Sequence, residues 1–557
     1  MNFLENIFRR LEEQPDTVFL QEIHEGKSVP ETGATLLAQI KAARTFLRKS
    51  NLKRGDRCAL IAHNTIRWVA MDLAILAEGI IVVPLYARQA AAELVGMMKD
   101  CSPSLICCGD ESLRDAIAPN WPEVPPIVTF DQMFSPPPKP ADSTSADVAP
   151  TALADSDPVA IIYTSGTSGE PKGVVLGVAN LNHMLSCTSG RLDVLMSANQ
   201  GQERVFHYLP FSFAGSWIML LTCLLRGSRL TMATDLSTLA ADMRATSVHY
   251  FLNVPVLLER MRSGVEQQIS KTGGLVGMIY DRAKAAWYRR DRGERAALDS
   301  LWLAIARAVI FPTIRKKMIG VNLRSLICGS APLARDTQLF FHMLGVPVLQ
   351  VYGLTETTAI CTMDNPHQVE AGRVGPAIPG IEMKLAENDE IVVRGPNVFQ
   401  QYWNRPQATA AVLHDGWFHT GDQGDVNQQG NWRISGRIKN LIILASGHNV
   451  APEPIEDEML RLLPDAQQIV LIGHGRSFLA AVVTGSPLPE QVQFAINEIN
   501  PHLPHYKRVR AFHIQSQPFS VENGMLTANG KLKRDAIALG LQAEIDAMYA
   551  ARQEVSA

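Results

Sequence analysis

Several things are scarce in this sequence of 557 residues, and each scarcity excludes a class of protein. There is no Cys-x-x-Cys pair and no histidine cluster at zinc spacing. The eight cysteines (Cys58, Cys101, Cys107, Cys108, Cys187, Cys223, Cys328 and Cys361) are scattered, which argues against a zinc module and against a disulfide framework. There is no basic excess: 52 Lys+Arg stand against 55 Asp+Glu, a net charge of -3. A dedicated nucleic-acid binder would be strongly basic, so that class is excluded, although a local basic patch is not. No secretory leader is visible, because MNFLENIFRRLEEQ carries charge through its first turns and reads as an amphipathic helix. Together with the cysteine usage this points to a cytoplasmic protein.

Long apolar runs are also scarce. The best candidate is VFHYLPFSFAGSWIMLLTCLL, between Arg204 and Arg226, which is uncharged and long enough to cross a bilayer. His207, Pro210, Ser212, Gly215 and Ser216 interrupt it, and WIMLLTCLL alone is too short. A buried strand-loop-helix is expected there instead.

What is present is ample core material. Apolar residues make up 46% of a chain too long for one compact core, so several domains are expected. LLAQIKAARTFLRKS has helical spacing, RCALIAHN reads as a strand, WVAMDLAILAEG as a helix and IIVVPL as a buried strand. Strands alternating with helices imply an α/β fold with a parallel sheet covered on both faces. Residues 135–158, rich in Pro, Ser, Ala and Asp, read as a loop or linker. There is no internal repeat.

After that linker, VAIIYTSGTSGEPKG runs a strand into a Gly/Ser/Thr loop closed by Lys172 and Gly173. Backbone N–H groups, hydroxyls and one cation at close range are the chemistry that holds polyphosphate. The spacing is neither the Walker arrangement nor GxGxxG, and taken alone the loop also reads as an ordinary surface loop. Downstream follow CGSAPLA (328–334), VYGLTET (351–357), GWFHTGD (416–422), GRIKNLIILASGHNVAPEPIE (436–456) and ANGKLKR (528–534). Taken together, in this order, the set resembles the adenylate-forming superfamily of acyl-CoA synthetases, adenylation domains and luciferases. The likeness covers residues 159–534.

That resemblance implies a fold and a set of roles. The expected architecture is a large N-terminal domain of stacked mixed and parallel sheets with helices, residues 1–435, and a small α+β domain, 436–557, joined by a hinge. The expected chemistry joins a carboxylic acid to ATP as an acyl-adenylate with loss of pyrophosphate, after which a thiol displaces AMP. Cations and Mg²⁺ are needed because two anions must meet. Ser165, Gly166, Thr167, Ser168, Gly169 and Lys172 match the phosphate loop. Glu356 matches the Mg²⁺ ligand, with Thr167 as its companion. Gly329, Ser330, Ala331 and Pro332 match the segment along adenine, Tyr352 the ring stacked on it, and Gly353 and Thr355 belong to the same nucleotide-binding motif. Asp422 matches the carboxylate on the ribose hydroxyls, and Arg437 a second ribose or phosphate contact. Lys531 matches the lysine that bridges the acyl carboxylate and the α-phosphate, while Lys533 and Arg534 are expected to form a solvated basic face. Lys439 matches the hinge pivot, and Gly447 the glycine beside the pantetheine channel of CoA.

The acid is implied by a further likeness. Residues 262–320 form a helical insertion after VPVLLER, as in long-chain fatty acyl-CoA synthetases. From Asp281 to Met318 ten Lys/Arg stand against four Asp/Glu around apolar LWLAIARAVIF, which suits either a solvated flap or a peripheral contact with anionic lipid. Trp217 matches a tryptophan that gates the fatty-acid tunnel. Two departures stand out: Phe213 replaces the histidine four residues before it, and Gly177-Val178 replaces a common Thr-His. Phe213 makes the carboxylate end of the pocket more apolar. The expectation is an ATP-dependent ligase joining a medium- to long-chain fatty acid to CoA. Two rivals stay open: a fatty acyl-AMP ligase that loads an acyl carrier protein, and a non-catalytic nucleotide- or lipid-binding protein. Luciferase-type oxidation has no visible support.

Overall fold

The computed structural model describes residues 1–24, 26–134, 149–164, 171–235, 237–320, 322–520, 522–526 and 531–553. Residues 165–170 and the first part of the expected linker therefore lie outside the described residues. The later part of that linker is pinned to the body: the Thr151 amide donates to the Ala77 carbonyl at 2.8 Å, and Arg44 donates to the Ala149 carbonyl at 3.0 Å.

Two large sheets form the body. One has the spatial order 362–363, 348–352, 325–328, 250–253, 204–207, 229–233, 18–24 and 27–32; its interior pairs are parallel and its two edges antiparallel. The other runs 401–402, 172–177, 158–164, 81–85, 57–61, 105–108 and 127–129. Its apolar strands Ile81–Leu85 and Leu105–Cys108 are buried at every position, as a sheet covered on both faces requires. A third sheet, with strands 382–385, 390–394, 413–414, 417–426 and 432–437, is antiparallel throughout.

Helices fill the space between the sheets. Phe3–Glu13 is capped by Asn2, whose side chain accepts from the Glu5 amide, and it buries Phe3, Leu4, Ile7, Phe8 and Leu11. That is the amphipathic helix expected from sequence. Val178–Met196, Ile66–Ala77 and Ala214–Arg226 join it in the main core. The uncharged stretch after Arg204 folds as the expected strand, loop and helix, Arg204–His207 followed by Ala214–Arg226. Among the described residues no helix is long and apolar enough to cross a membrane. The insertion is helical as expected, built of Pro255–Thr272, Gly274–Asp291, Asp299–Val309 and Phe311–Ile319, and it shares a second core with the eight-stranded sheet.

Beyond Arg437 the chain builds a smaller unit: a short hairpin, Ile442–Ile443 with Asn449–Val450, and a three-stranded sheet, 466–472, 479–485 and 509–515. Arg534 corrects one expectation. It is not solvated but largely buried against the buried Glu456, donating through both terminal nitrogens at 2.7 and 2.5 Å. The same carboxylate accepts the Leu471 amide at 2.6 Å, so this ion pair ties the segment that carries Lys531 to the sheet of the smaller unit.

Candidate active site

A single cleft of about 1320 Å³ gathers side chains from both sheets and from the smaller unit. Strand Lys172–Gly177 brings Lys172 to its wall, with the ammonium 5.0 Å from the centre of the Tyr402 ring. The turn Thr355–Thr357 brings Glu356, which is buried and accepts a hydrogen bond from the Tyr402 hydroxyl at 2.7 Å. That turn is tightly determined. A Cβ on Gly353 would stand 2.3 Å from the Ala359 carbonyl oxygen, so only glycine fits, and Thr358 and Ala359 both take positive φ. Gly329, Ser330 and Ala331 line the same cleft, with Ser330 held at φ 74°.

Arg437, at the end of strand Trp432–Arg437, reaches the cleft while its Nε contacts Asp422 Oδ1 at 2.8 Å. The Tyr352 hydroxyl donates to the other carboxylate oxygen at 2.8 Å. Asp422 is thus held from both sides. Burial, the largest influence, raises its pKa above the usual carboxylate value, and Arg437, the Tyr352 hydrogen bond and Lys531 oppose the rise. Lys531 lines the cleft and keeps access to solvent, yet the surrounding protein depresses its pKa. Arg437 adds repulsion, while Asp422 and Glu356 pull the other way.

Most of the expected site residues converge here: Lys172, Gly329, Ser330, Ala331, Gly353, Thr355, Glu356, Arg437, Lys439, Lys531 and Phe213 all line the cleft. Ser165, Gly166, Thr167, Ser168 and Gly169 lie outside the described residues. Tyr352 and Asp422 stand directly behind the wall, joined to it through Arg437. Pro332 is exposed beside the lining, and Gly447 sits in the hairpin turn that follows Leu444, away from the cleft.

Trp217 is displaced from its expected role. It is fully buried in the core, where its Nε1 donates to Asp72 Oδ2 at 3.0 Å, and it does not line the cleft. The helix Ala214–Arg226 begins only after Phe213, whose φ of -91° and ψ of 133° are extended. The four-residue spacing from Phe213 to Trp217 therefore does not place the two on one helical face. Gly215, Ser216, Ile218, Met219 and Thr222 face the cleft instead. Phe213 packs at 5.6 Å from Tyr86, closing an aromatic wall where a polar ring was the alternative.

Tyr402 and His419 were not legible as site residues. Tyr402 arrives through a two-residue edge strand paired with Lys172–Gly177, an adjacency that no local pattern marks. His419, within GWFHTGD, bonds the Glu390 carboxylate through Nδ1 at 2.8 Å, and the Gly421 amide donates to the other oxygen of Glu390. This pair braces the strand that presents Asp422.

Residues 7–403 match the family described as AMP-binding enzyme, and residues 439–553 its C-terminal domain. The chain belongs to the AMP-binding enzymes. Among relatives of this AMP-binding enzyme, the long-chain-fatty-acid–CoA ligase FadD15 of Mycobacterium bovis is 28% identical over 581 residues, covering 98% of this chain and 96% of its own. Long chain acyl-CoA synthetase 3 of Arabidopsis thaliana is 26% identical, covering 99% and 92%. The solved structure of ATP-bound MatB from Rhodopseudomonas palustris superposes with a TM-score of 0.73 at 24% identity, over 97% of this chain and 99% of that one, which establishes the shared fold.

Proposed function

We propose that this AMP-binding enzyme is an ATP-dependent fatty acid–CoA ligase, forming acyl-AMP and then acyl-CoA. The observation that carries the reading is the convergence of Lys172, Arg437 and Lys531 with the buried Glu356 on one cleft whose lining extends to an apolar arm along the adjoining faces of helices Val178–Met196 and Ala214–Arg226. The near-full-length likeness to long-chain acyl-CoA ligases supports the acid and the acceptor.

In this reading a carboxylate oxygen of the fatty acid attacks the α-phosphorus of ATP, and pyrophosphate leaves. Lys531 holds the carboxylate and the α-phosphate together, placing one cation between two anions that repel each other. Lys172 faces the outgoing phosphates. Arg437, oriented by Asp422 behind the wall, faces the ribose, and Gly329–Ala331 admits the base edge. Glu356 would hold Mg²⁺ through one hard carboxylate oxygen, a donor type suited to that ion. When bound, Mg²⁺ neutralises phosphate charge. The thiolate of CoA then attacks the acyl carbonyl and AMP leaves. Lys531 departs for this second step by rotation of residues 440–553 about Lys439, and the two-domain division near residue 436 belongs to the same proposal.

The reading extends to the source of the acid. The insertion exposes Leu275, Val276, Met278, Leu301 and Val309 among its excess of Lys and Arg, a composition suited to resting on anionic lipid. Part of that charge is internally paired, as in Arg292 with Glu294 and Lys284 with Glu266. Leu275→Ser together with Leu301→Ser is expected to reduce co-sedimentation with phosphatidylglycerol vesicles, and unchanged binding would refute the contact.

The deciding experiment is AMP release from Mg·ATP across an acid panel with CoA, with phosphopantetheinylated carrier protein, and with neither. Turnover with CoA is expected. Turnover only with the carrier would replace CoA as acceptor, and none with any fatty acid would remove the reading.

A further inference from the structure

The apolar arm of the cleft is interrupted at one place. Leu192, Leu195, Ile218, Met219, Ile360 and Met363 contribute its walls, and Arg191 stands among them. Its position along the arm follows from the helices. Ala214 to Thr222 spans about 12 Å of helix axis. The Thr222 hydroxyl lies 2.9 Å from that of Thr188, and Arg226 reaches the Ser189 carbonyl at 2.9 Å, so the two helices run side by side in the same direction. Arg191 lies nearly one turn beyond Thr188, about 4.5 Å further along the axis. The Arg191 backbone is therefore displaced along the arm away from Ala214, with Leu195 a further turn on, and its guanidinium reaches the Met363 carbonyl.

Several largely buried arginines hold carboxylates: Arg44 with Glu78, Arg226 with Glu203, Arg373 with Asp425, and Arg534 with Glu456. The half-buried Arg204 and Arg229 have no ion pair among the described residues but do not line the cleft. Arg191 does line it. Among the described residues it has no ion pair, and its Nη2 donates only a long 3.4 Å bond to the Met363 carbonyl. The nearest candidate, Asp364, is buried and turned inward to accept the Gln350 amide at 2.8 Å. Burial raises that carboxyl to about 8, the Gln350 amide and Arg191 oppose the rise and Glu370 adds to it, so Asp364 and Arg191 attract each other without forming an ion pair. A partly desolvated cation in an apolar wall is costly unless an anion meets it, and the planar fork of arginine suits a carboxylate.

We propose that Arg191 receives a second carboxylate at the far end of the acyl chain, making the preferred substrate an α,ω-dicarboxylic acid. This rests on the ligase reading above and narrows its substrate class. The thioester-forming carboxylate lies at the Lys531 end, the methylenes lie along Ile218, Met219 and Met363, and the distal carboxylate forms the ion pair that the protein leaves open.

The test compares decanedioic, dodecanedioic and hexadecanedioic acids with the monocarboxylic acids of equal length. AMP release is followed with Mg·ATP and CoA in wild type, Arg191→Leu and Arg191→Lys. Wild type is expected to favour one diacid. Arg191→Leu should lower kcat/KM for it by about ten- to a hundred-fold, mainly through KM, the size of one charge-assisted hydrogen bond. It should also raise kcat/KM for the monoacid, and Arg191→Lys should restore part of the diacid preference. A wild-type preference for monoacids that Arg191→Leu leaves unaltered overturns the proposal and marks Arg191 as a side chain that merely reaches solvent. If neither acid yields AMP, the ligase reading itself fails. Calorimetric binding of dodecanedioic and dodecanoic acids then still decides on Arg191, since equal diacid affinity in wild type and Arg191→Leu refutes it.

Discussion

At Lys531 several influences meet: surrounding protein and Arg437 depress the ammonium, while Asp422 and Glu356 sustain it. If the protonated lysine bridges carboxylate and phosphate, Lys531→Ala should slow acyl-AMP formation by about 10²–10³-fold. Thioester formation from supplied acyl-AMP should suffer far less. Single-turnover assays separate the two, and equal losses in both would deny the lysine a role specific to the first step. The sign of the electrostatics gives a second prediction. Because Arg437 lowers the Lys531 pKa, Arg437→Gln should move the alkaline limb of the adenylation rate to higher pH, whatever it does to nucleotide affinity. A stationary limb would mean that Lys531 does not set it. Asp72 offers a parallel test through stability. Burial raises its pKa to about 7, opposed by the Trp217 hydrogen bond, whereas the unfolded carboxyl ionises near 3.8. The folded state therefore binds more protons between those values, so stability falls as pH rises through them. Asp72→Asn removes that dependence, and its melting temperature should gain on wild type between pH 5 and pH 8. A constant difference would exclude the ionisation.

Two elements show what local pattern can and cannot reveal. The helix Ala214–Arg226 was legible as a helix, but which of its side chains face the cleft was not, because its sequence is apolar nearly all round and an extended Phe213 precedes it. Phase decides function here: Trp217, Leu221 and Leu224 turn to the core while Ile218, Met219 and Thr222 turn to the cleft. Trp217→Phe should thus cost about 1–3 kcal/mol by leaving Asp72 without its hydrogen bond. It should not shift chain-length preference, whereas Met219→Trp should shorten it; a chain-length profile altered by Trp217→Phe would restore the gate. The segment after Lys531 teaches a similar lesson. A Lys-x-Lys-Arg run looks solvated, yet Arg534 is held by Glu456, and only the fold supplies that partner. Removing one member of a largely buried pair strands the other, so Glu456→Ala should cost about 3–5 kcal/mol in chemical denaturation. It should also slow adenylation by loosening Lys531. A loss under 1 kcal/mol would show the pair to be dispensable.

Across the whole molecule, legibility followed the distance over which information was encoded. Strand-helix alternation, the amphipathic first helix and the helical insertion are written in local periodicity, and the structure has them. Glu356, Arg437 and Lys531 were legible because each lies in a short motif, and the cleft gathers them. Tyr402 and Arg191 were not, because what marks them is a neighbour contributed by a distant strand or helix. The order in which the cleft is assembled has a consequence for synthesis. Every lining residue up to Lys439 precedes Lys531 by more than ninety positions in the chain. Since domains generally fold in the order they leave the ribosome, the acyl arm and nucleotide wall take shape while that lysine is still unmade. If Lys531 has the role proposed above, a nascent chain at this stage binds acid or nucleotide but joins them only slowly. An interrupted translation product would then act mainly as a sink for substrate.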